Sequence, residues 1–237
     1  MFLFLFGSYN LILIAAAVIP AIVLLVKVYR SDRLDQEPPR LILQLVLMGI
    51  LATFTAMVGE WIGNRLLNAV NNSALAEVLL YFVVVAGCEE GSKYFFLRRR
   101  TWYEEAFNCQ YDAVVYAVAV ALGFALWENI SYVFQYGFST AIVRAITAVP
   151  GHACFGVFMG AWYGSAKRAD NYGYPEKSKL YRILAMLIPM LLHGAYDYIA
   201  TRSAGGFTWL FVIFVAAMFY VSFKLVHKLS DQDRYIV

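Results

Sequence analysis

The sequence predicts an all-α fold, a polytopic transmembrane helix bundle of about seven spans. Of the 237 residues, 62% are hydrophobic and only 15% are charged, whereas apolar residues make up roughly 45–50% of an ordinary soluble domain. The mean hydropathy is +0.63. Runs of about 20 apolar residues, the length that a helix needs to cross the hydrocarbon core, recur along the chain. Because the polar stretches between these runs are short, we expect residues 1–237 to form a single integral membrane domain.

Seven apolar segments are the predicted spans. They cover residues 3–26, 41–69, 76–97, 112–135, 140–167, 181–201 and 207–226. We interpret the first as a retained span, because it lacks the basic region and the small-residue cleavage site of a signal peptide. Pro38 and Pro39 mark the start of the second span, since proline cannot continue a preceding helix. Pro150 and Gly151 are expected to break the fifth span.

The basic residues alternate between the two sides of these spans. The first, third and fifth connections and the C-terminal tail hold most of them, namely Lys27, Arg30, Arg33, Arg40, Arg98, Arg99, Arg100, Lys167, Arg168, Lys177, Lys179, Arg182, Lys224, Lys228 and Arg234. The other connections hold almost nothing basic beyond Arg65 and Arg202. Because basic loops remain in the cytoplasm, we expect a cell-membrane protein with its N-terminus outside and its C-terminus in the cytoplasm. The net charge of +3 is unremarkable, and we expect the lipid bilayer, and no nucleic acid, as a partner.

Ionisable residues inside the predicted spans are the candidate functional residues, because a charge near the bilayer centre costs at least about 2.5–3.5 kcal/mol on insertion scales. In the third span, Glu89 and Glu90 are adjacent, and Lys93 follows Glu89 by one turn on the same helix face. An ion pair between Glu89 and Lys93 would account for the presence of Glu89 inside the membrane, but not for that of Glu90. Two neighbouring carboxylates in a low-dielectric site resist joint ionisation, which suits a general base or a proton carrier.

Polar residues also occur inside the fourth and fifth predicted spans. Glu128 and Asn129 are neighbours in the fourth, where a buried acid bonded to Asn129 is the structural alternative to a catalytic role. His152 in the fifth follows a proline that suits a first helical turn, so it is expected near a helix N-terminus within the bilayer. A structural histidine bonded to a carbonyl is the alternative. Small residues that permit close helix packing follow at every fourth position, namely Gly156, Gly160 and Gly164.

His193 and Asp197 in the sixth span lie at positions i and i+4 and share a helix face. The carboxylate can fix the tautomer of the ring and leave the other nitrogen for a metal, water or substrate. A structural pair is the alternative. The whole set of acids and histidines matches water activation by carboxylate and imidazole, or a metal site of histidine and carboxylate ligands. HExxH, GxSxG and Walker motifs are absent from the sequence.

Four motifs, in this order, resemble those of the PrsW family of intramembrane proteases, which is similar in turn to the CAAX-protease group. The motifs are Glu89-Glu90-x-x-Lys93, Phe124-x-x-x-Glu128-Asn129, Ala148-Val-Pro-Gly-His152 and His193-Gly-x-x-Asp197, with Asp35-x-Glu37-Pro38 after the first span. The resemblance covers most of the chain. It implies proteolysis of a single-span membrane substrate, typically an anti-sigma factor, during envelope-stress signalling.

On this hypothesis one set of side chains carries out the hydrolysis. The set consists of Glu89, Glu90, Lys93, Glu128, Asn129, His152, His193 and Asp197. Glu90 is the expected base that activates water, with Glu89 as the alternative. Two chemistries stay open. In one, His152, His193 and Glu90 hold a zinc ion, which takes three protein ligands and keeps a fourth position open. In the other, a glutamate activates water without a metal.

Two other functions remain open from the residues alone. A proton-coupled transporter or channel would use intramembrane Glu and His side chains as a relay. A non-catalytic scaffold would bind a partner helix through its glycines, although it would gain little from several buried acids. Cleavage of a substrate by the purified protein would separate the hydrolase from both.

Overall fold

Helices form almost all of the structure, a computed structural model that describes residues 8–70, 73–202 and 206–236. In chain order they are α1 (Ser8–Arg30), α2 (Pro39–Leu67), α3 (Ser73–Leu79), a π-helical turn (Leu80–Val85), α4 (Ala86–Thr101), α5 (Asp112–Tyr136), α6 (Phe138–Ile146), α7 (Ala148–Asn171), α8 (Pro175–Ala200) and α9 (Gly206–Asp231). The described residues contain no β-strand, so the all-α prediction is confirmed. Residues 3–7 of the predicted first span lie outside the described residues.

Six helical segments of the described chain are long and apolar enough to cross a membrane. They are Asn10–Arg30, Pro39–Leu67, Asp112–Tyr136, Phe138–Asn171, Pro175–Ala200 and Gly206–Asp231. The predicted third span, 76–97, falls on α3, the π-helical turn and α4, which follow one another from Ser73 to Thr101. At about 1.5 Å per residue this run rises about 43 Å, which exceeds the roughly 30 Å of a hydrocarbon core. Its charged residues make it less apolar than the other six.

The predicted fifth span, 140–167, is two helices in the structure. α6 ends at Ile146, and Thr147, with φ of −121° and ψ of −72°, separates it from α7. The break was predicted at Pro150–Gly151, and that position is wrong. Pro150 lies instead in the first turn of α7, where the N–H that proline lacks has no helical partner to lose. His152 therefore lies near the N-terminus of α7, as predicted.

α5 lies at the centre of the bundle and packs against α1, α2, α4, α6 and α7. Its residues from Asp112 to Ala125 are all buried. A Cβ on Gly123 would lie only 2.1 Å from the carbonyl oxygen of Val46 in α2, and a Cβ on Gly160 of α7 only 2.5 Å from the Cα of Val114. The helix backbones approach this closely only because glycine lacks that carbon, so the predicted packing role of the α7 glycines is confirmed.

One end of the bundle is tied together by its connections and its C-terminal tail. The hydroxyl of Ser230 donates to the carbonyl oxygen of Ser31. The backbone N–H of Ile236 donates to the carbonyl of Asn108 over 2.8 Å, and the side-chain amide of Asn171 donates to the carbonyl of Ile236 over 2.5 Å. The first, third and fifth connections therefore lie at the same end as the tail. The alternation of basic residues requires this arrangement.

Candidate active site

The four motif-bearing helices, α4, α5, α7 and α8, place polar side chains around one cavity. The cavity has a volume of about 620 Å³. Its acidic and histidine lining consists of Glu60, Glu89, Glu128, His152, His193 and Asp197. The fold thus brings together side chains from five helices, including α2, that are far apart in the sequence. Five of these six side chains, all except Glu60, come from the sequence motifs of α4, α5, α7 and α8.

Lys93 in α4 contacts several of the polar side chains of the site. Its ammonium lies 2.7 Å from Glu90 Oε1, 3.2 Å from Glu89 Oε2 and 3.1 Å from His152 Nδ1. It also lies 4.0 Å from the centre of the Phe124 ring, which explains the aromatic residue at the start of the second motif. Because Lys93 is fully buried, it needs these partners to offset the loss of its hydration.

Glu89 and Glu90 meet different surroundings, although they are adjacent in α4. Both reach Lys93, since positions i+4 and i+3 lie on one side of a helix. Glu90 has no exposed surface, and its Oε2 has no hydrogen-bond partner among the described residues. Glu89 lines the cavity and keeps 7% of its surface exposed. Glu89 is therefore the member of the pair that water and substrate can reach.

A π-helical turn directly precedes this pair of glutamates. The turn, Leu80–Val85, runs into α4 without an intervening loop. Such turns occur frequently at functional sites, because one extra residue in a helical turn rotates the side chains that follow it. α4 contacts α8 and α5, and its polar side chains reach His193 of α8 and Phe124 of α5.

His193 in α8 lies between two carboxylates. Its Nδ1 is 2.9 Å from Glu90 Oε1, and its Nε2 is 3.4 Å from Asp197 Oδ2. The Phe155 ring stacks on the imidazole with centroids 4.7 Å apart. The next residue, Gly194, permits the close approach of the π-helical turn, because a Cβ there would lie 2.6 Å from the Phe82 ring. The predicted pairing of His193 with Asp197 is thus present, and Glu90 is a second partner.

The contacts of His152 in α7 define its tautomer. Its Nδ1 faces the ammonium of Lys93, which can only donate, so Nδ1 accepts. Its Nε2 lies 2.8 Å from Glu128 Oε2 and donates to that carboxylate. The imidazole rings of His152 and His193 have centroids 5.4 Å apart. Both predicted histidines therefore lie in one site, and each has a carboxylate partner.

Asn129 in α5 joins helices rather than lining the cavity. Its side-chain amide donates to the carbonyl of Ala17 in α1 over 3.0 Å. Its Oδ1 accepts from the Nε of Arg144 in α6 over 2.9 Å, and the same guanidinium forms a 3.0 Å ion pair with Glu128. Asn129 thus positions Arg144, which in turn pairs with Glu128.

Two charged residues of the site lie outside the sequence motifs. Glu60 of α2 lines the cavity, and Arg144 of α6 pairs with Glu128. A signal for both existed in the sequence, because each is a charged residue within an apolar helix and such residues are functional candidates by default. Their partners, however, come from distant parts of the chain. Pattern and spacing therefore could not assign them a place.

Comparison with known proteins identifies the family. A family model described as PrsW family intramembrane metalloprotease matches residues 37–223. This chain belongs to the PrsW family. The proteins named Protease PrsW from Geobacillus kaustophilus and Oceanobacillus iheyensis are 34% and 33% identical to it, over 94% and 92% of this chain and 94% and 96% of their own lengths. The Protease PrsW from Bacillus subtilis is 32% identical over 80% of this chain and 83% of its own length. No solved structure matches the chain.

Membership in the PrsW family makes the chain a membrane-embedded peptidase with several apolar helices that can span the bilayer. The predicted family, the protease function and the multi-pass architecture are confirmed. A peptidase of this kind acts on a membrane protein substrate. Neither the transporter hypothesis nor the scaffold hypothesis has support from the comparisons.

The description of the PrsW family as metalloproteases implies a metal ion, and one group of side chains fits that role. Glu89, Glu90 and His193 each offer a ligand atom, and these atoms lie within 4.8 Å of one another. Carboxylate and imidazole ligands suit a catalytic zinc, and the buried Glu90 Oε2 has no hydrogen-bond partner among the described residues. This group shares His193 and Glu90 with the predicted set. The two nitrogens of His152, by contrast, face Lys93 and Glu128.

Proposed function

We propose that this cavity is the place where the protein hydrolyses a peptide bond in a single-span membrane protein. One observation carries the proposal: a carboxylate that lines the cavity, Glu89, is held by Lys93 beside two histidines. Hydrolysis needs a base that reaches a water molecule and donors that stabilise the developing oxyanion. The side chains around the cavity supply both.

Glu89 is the base in this proposal. It takes a proton from a water molecule as the water oxygen attacks the carbonyl carbon of the scissile peptide. It then gives the proton to the nitrogen of the departing amine, so that a carboxylic acid and an amine leave and Glu89 is regenerated. The sequence favoured Glu90 for this role, but Glu90 has no exposed surface and contacts Lys93 and His193 instead. We therefore assign Glu90 a positioning role.

The two histidines and their acids complete the proposed site. His193 can donate to the oxyanion once its other nitrogen is held by a carboxylate, and both Glu90 and Asp197 are within reach of its ring. Glu128, which is paired with Arg144, holds the ring of His152. In the metal-dependent alternative, Glu89, Glu90 and His193 would hold a zinc ion, which would polarise the peptide carbonyl and acidify a bound water, and Glu89 would then be a ligand rather than the base.

The proposed substrate is an anti-sigma factor with a single span, and the proposed location is the cell membrane. Both come from the resemblance of the motifs to the family. The connections and the tail that gather at one end of the bundle support the proposed orientation, with this end in the cytoplasm and the N-terminus outside. Most of the basic residues predicted to be cytoplasmic belong to these connections or to the helix ends that adjoin them, and basic segments stay on that side.

A cleavage assay tests the proposed function. The purified full chain in detergent is incubated with a tagged single-span anti-sigma factor, and the products are identified by mass spectrometry. We expect one new pair of termini within or beside the substrate span, and no cleavage by the Glu89→Gln variant. Transport of ions or protons by the protein in vesicles, without cleavage of any membrane peptide, would contradict the proposal.

A further inference from the structure

A second group of buried acids lies at the other end of α5. Asp112 is the first residue of this helix, and Glu128 of the catalytic cavity lies about 24 Å further along it at a rise of about 1.5 Å per residue. Around Asp112 are Asp32 from the loop after α1 and Glu37 from the motif that precedes α2. The proposed hydrolysis uses none of these three acids.

The three acids are close together and buried. Asp32, Glu37 and Asp112 each place one carboxylate oxygen so that all three atoms lie within 4.8 Å of one another. The exposed fractions of the three residues are 2%, 2% and 0%. Oxygens that surround one calcium or magnesium ion, at about 2.0–2.6 Å from it, are separated by distances of this size.

Several oxygens of the group lack a partner. Among the described residues, neither carboxylate oxygen of Asp32 has a hydrogen-bond partner of normal geometry, although the backbone N–H groups of Leu34 and Asp35 partly offset its burial. Asp112 uses only Oδ2, which accepts from the backbone N–H of Asn108 and Cys109 over 2.9 and 2.6 Å. Its Oδ1 is buried and unpartnered within the described chain. An unpartnered buried oxygen is costly unless something else satisfies it.

Basic side chains do not neutralise these acids. Within the part of the chain that the structure describes, no lysine or arginine forms an ion pair with Asp32, Glu37 or Asp112, and the nearby Arg33 pairs with Asp231 at 2.7 Å instead. The negative charges therefore need another source of compensation when the acids ionise.

We propose that Asp32, Glu37 and Asp112 form a binding site for one hard divalent cation, Mg²⁺ or Ca²⁺. Carboxylate oxygens are the ligands that these ions prefer. Asp233 of the C-terminal tail lies beside the site, since one of its oxygens is within 4.8 Å of a ligand atom of Asp112. Its Oδ1 accepts from the N–H of Tyr111 over 2.8 Å, whereas its Oδ2 is unpartnered among the described residues.

The nearby thiol does not convert this site into one for a softer metal. Cys109 belongs to the neighbouring group with Asp112 and Asp233. Its thiol is not among the three ligand atoms of the proposed site, and its backbone N–H donates to Asp112. The effective donors are carboxylate oxygens, which favour magnesium or calcium over zinc.

The proposed cation fastens two separate parts of the chain to each other. Asp32 and Glu37 lie in the connection between α1 and α2, Asp112 begins the central helix, and Asp233 of the tail lies beside them. Among the described residues, Glu37 accepts from a side-chain donor, the Tyr116 hydroxyl, over 2.5 Å. Binding should therefore stabilise this end of the bundle. The site is separate from the catalytic cavity, so it does not depend on the proposed function.

The test is binding of the ion itself to the full-length protein in detergent. After chelation and removal of the chelator, MgCl₂ and CaCl₂ are titrated separately in a calorimeter, and the unfolding temperature is recorded with each ion. We expect saturable binding of at least one of the two and a rise of the unfolding temperature. Asp32→Asn should weaken binding at least about 10-fold, because affinity depends on the charge of the ligands.

Asp231→Asn is the matched control, since it removes a nearby exposed carboxylate that belongs to the ion pair with Arg33. It should bind the cation as the wild type does. Glu89→Gln should also bind normally, which separates this site from any metal in the catalytic cavity. If neither ion binds to the wild type, or if Asp32→Asn binds as tightly as the wild type, the proposal is wrong. Stabilisation by acidic pH alone, without ion binding, would show a proton shared by the acids and would also overturn it.

Discussion

Glu89 and Glu90 show that the surroundings of a side chain, rather than its type, define its role. Both contact Lys93, but only Glu89 lines the cavity, and Glu90 is held between Lys93 and His193. A base must reach the water from which it takes a proton. Glu90 can instead fix the positions of the ammonium and the imidazole. The two residues should therefore respond differently to the same chemical test.

Replacement of Glu89 by glutamine should lower kcat by about 10²–10⁴-fold, because the amide has the same size but cannot accept the proton. Glu90→Gln should also be severe, since it weakens the hold on Lys93 and His193. Added formate should restore part of the activity of Glu89→Ala and none to Glu90→Ala. The measurement is the initial rate of substrate cleavage, with the exposed Glu105→Gln as control. Rescue of Glu90→Ala alone would make Glu90 the base.

Asp197 should act through His193 rather than on the substrate. The 3.4 Å contact with Nε2 predicts that Asp197→Asn lowers kcat on the order of 10–100-fold, as expected for a residue that orients another. His193→Ala should inactivate the enzyme. The pH dependence of kcat should change in Asp197→Asn, since the histidine loses a carboxylate, and a purely structural residue would leave that profile in place. A silent Asp197→Asn together with an active His193→Ala would make the pair structural.

From the sequence, contacts in the site could be predicted only where both residues belong to the same helix. The contacts of Glu89 and Glu90 with Lys93, and of His193 with Asp197, lie within single helices at positions i+3 or i+4. The contacts of His152 with Lys93 and Glu128 join different helices, so they depend on packing. For the same reason no role for Arg144 or Glu60 could be predicted from the sequence. It also could not separate a cavity-lining acid from a buried one.

At the scale of the helices, the pairing of α7 with α5 is sensitive to side-chain size. Gly160→Val should destabilise the protein by about 1–3 kcal/mol, because the added carbons overlap the backbone of α5. The unfolding temperature in detergent measures the effect. Gly87→Ala is the control, since a Cβ there would lie 3.8 Å from the side chain of Met190, an ordinary contact. Equal unfolding temperatures for the two variants would contradict this packing.

The helices themselves were largely predictable, and the exceptions have physical causes. Hydropathy located the helices because the hydrocarbon core requires long apolar runs. It could not locate the break at Thr147, because α6 and α7 together are apolar enough to read as one span. It also missed the π-helical turn Leu80–Val85, whose residues are as apolar as those of an ordinary helix. Helix ends such as Asp231 extend beyond the predicted spans, since a helix can continue past the membrane surface.

For the whole molecule, the gathering of basic connections and the tail at one end predicts the orientation. A reporter that is active only in the cytoplasm should be active when it is fused to the C-terminus. The same reporter placed after Arg202, between α8 and α9, should be inactive. A reporter that works only outside the cytoplasm should be active at that position. An outside location of the C-terminal reporter would contradict the orientation, and the same location for both reporters would contradict a span at α9.

Removal of metal distinguishes hydrolysis on a metal ion from hydrolysis by Glu89 without one, provided that the proposed cation site at the start of α5 is tested separately from the catalytic cavity. A chelator would strip a metal from Glu89, Glu90 and His193, and it would equally strip a cation from Asp32, Glu37 and Asp112. A loss of activity in the wild type alone is therefore ambiguous.

The Asp32→Asn variant, in which the proposed second site should bind the cation more weakly, resolves this ambiguity. We expect exhaustive chelation to stop cleavage in this variant as well as in the wild type, and zinc to restore it in both, because the donor set beside the cavity suits zinc. The rate of substrate cleavage is the measurement. Full activity of both chelated proteins would leave water activation by Glu89 without a metal as the mechanism. A loss confined to the wild type would assign the effect of chelation to the acidic group at the start of α5, which would then support the active site through the position of this central helix.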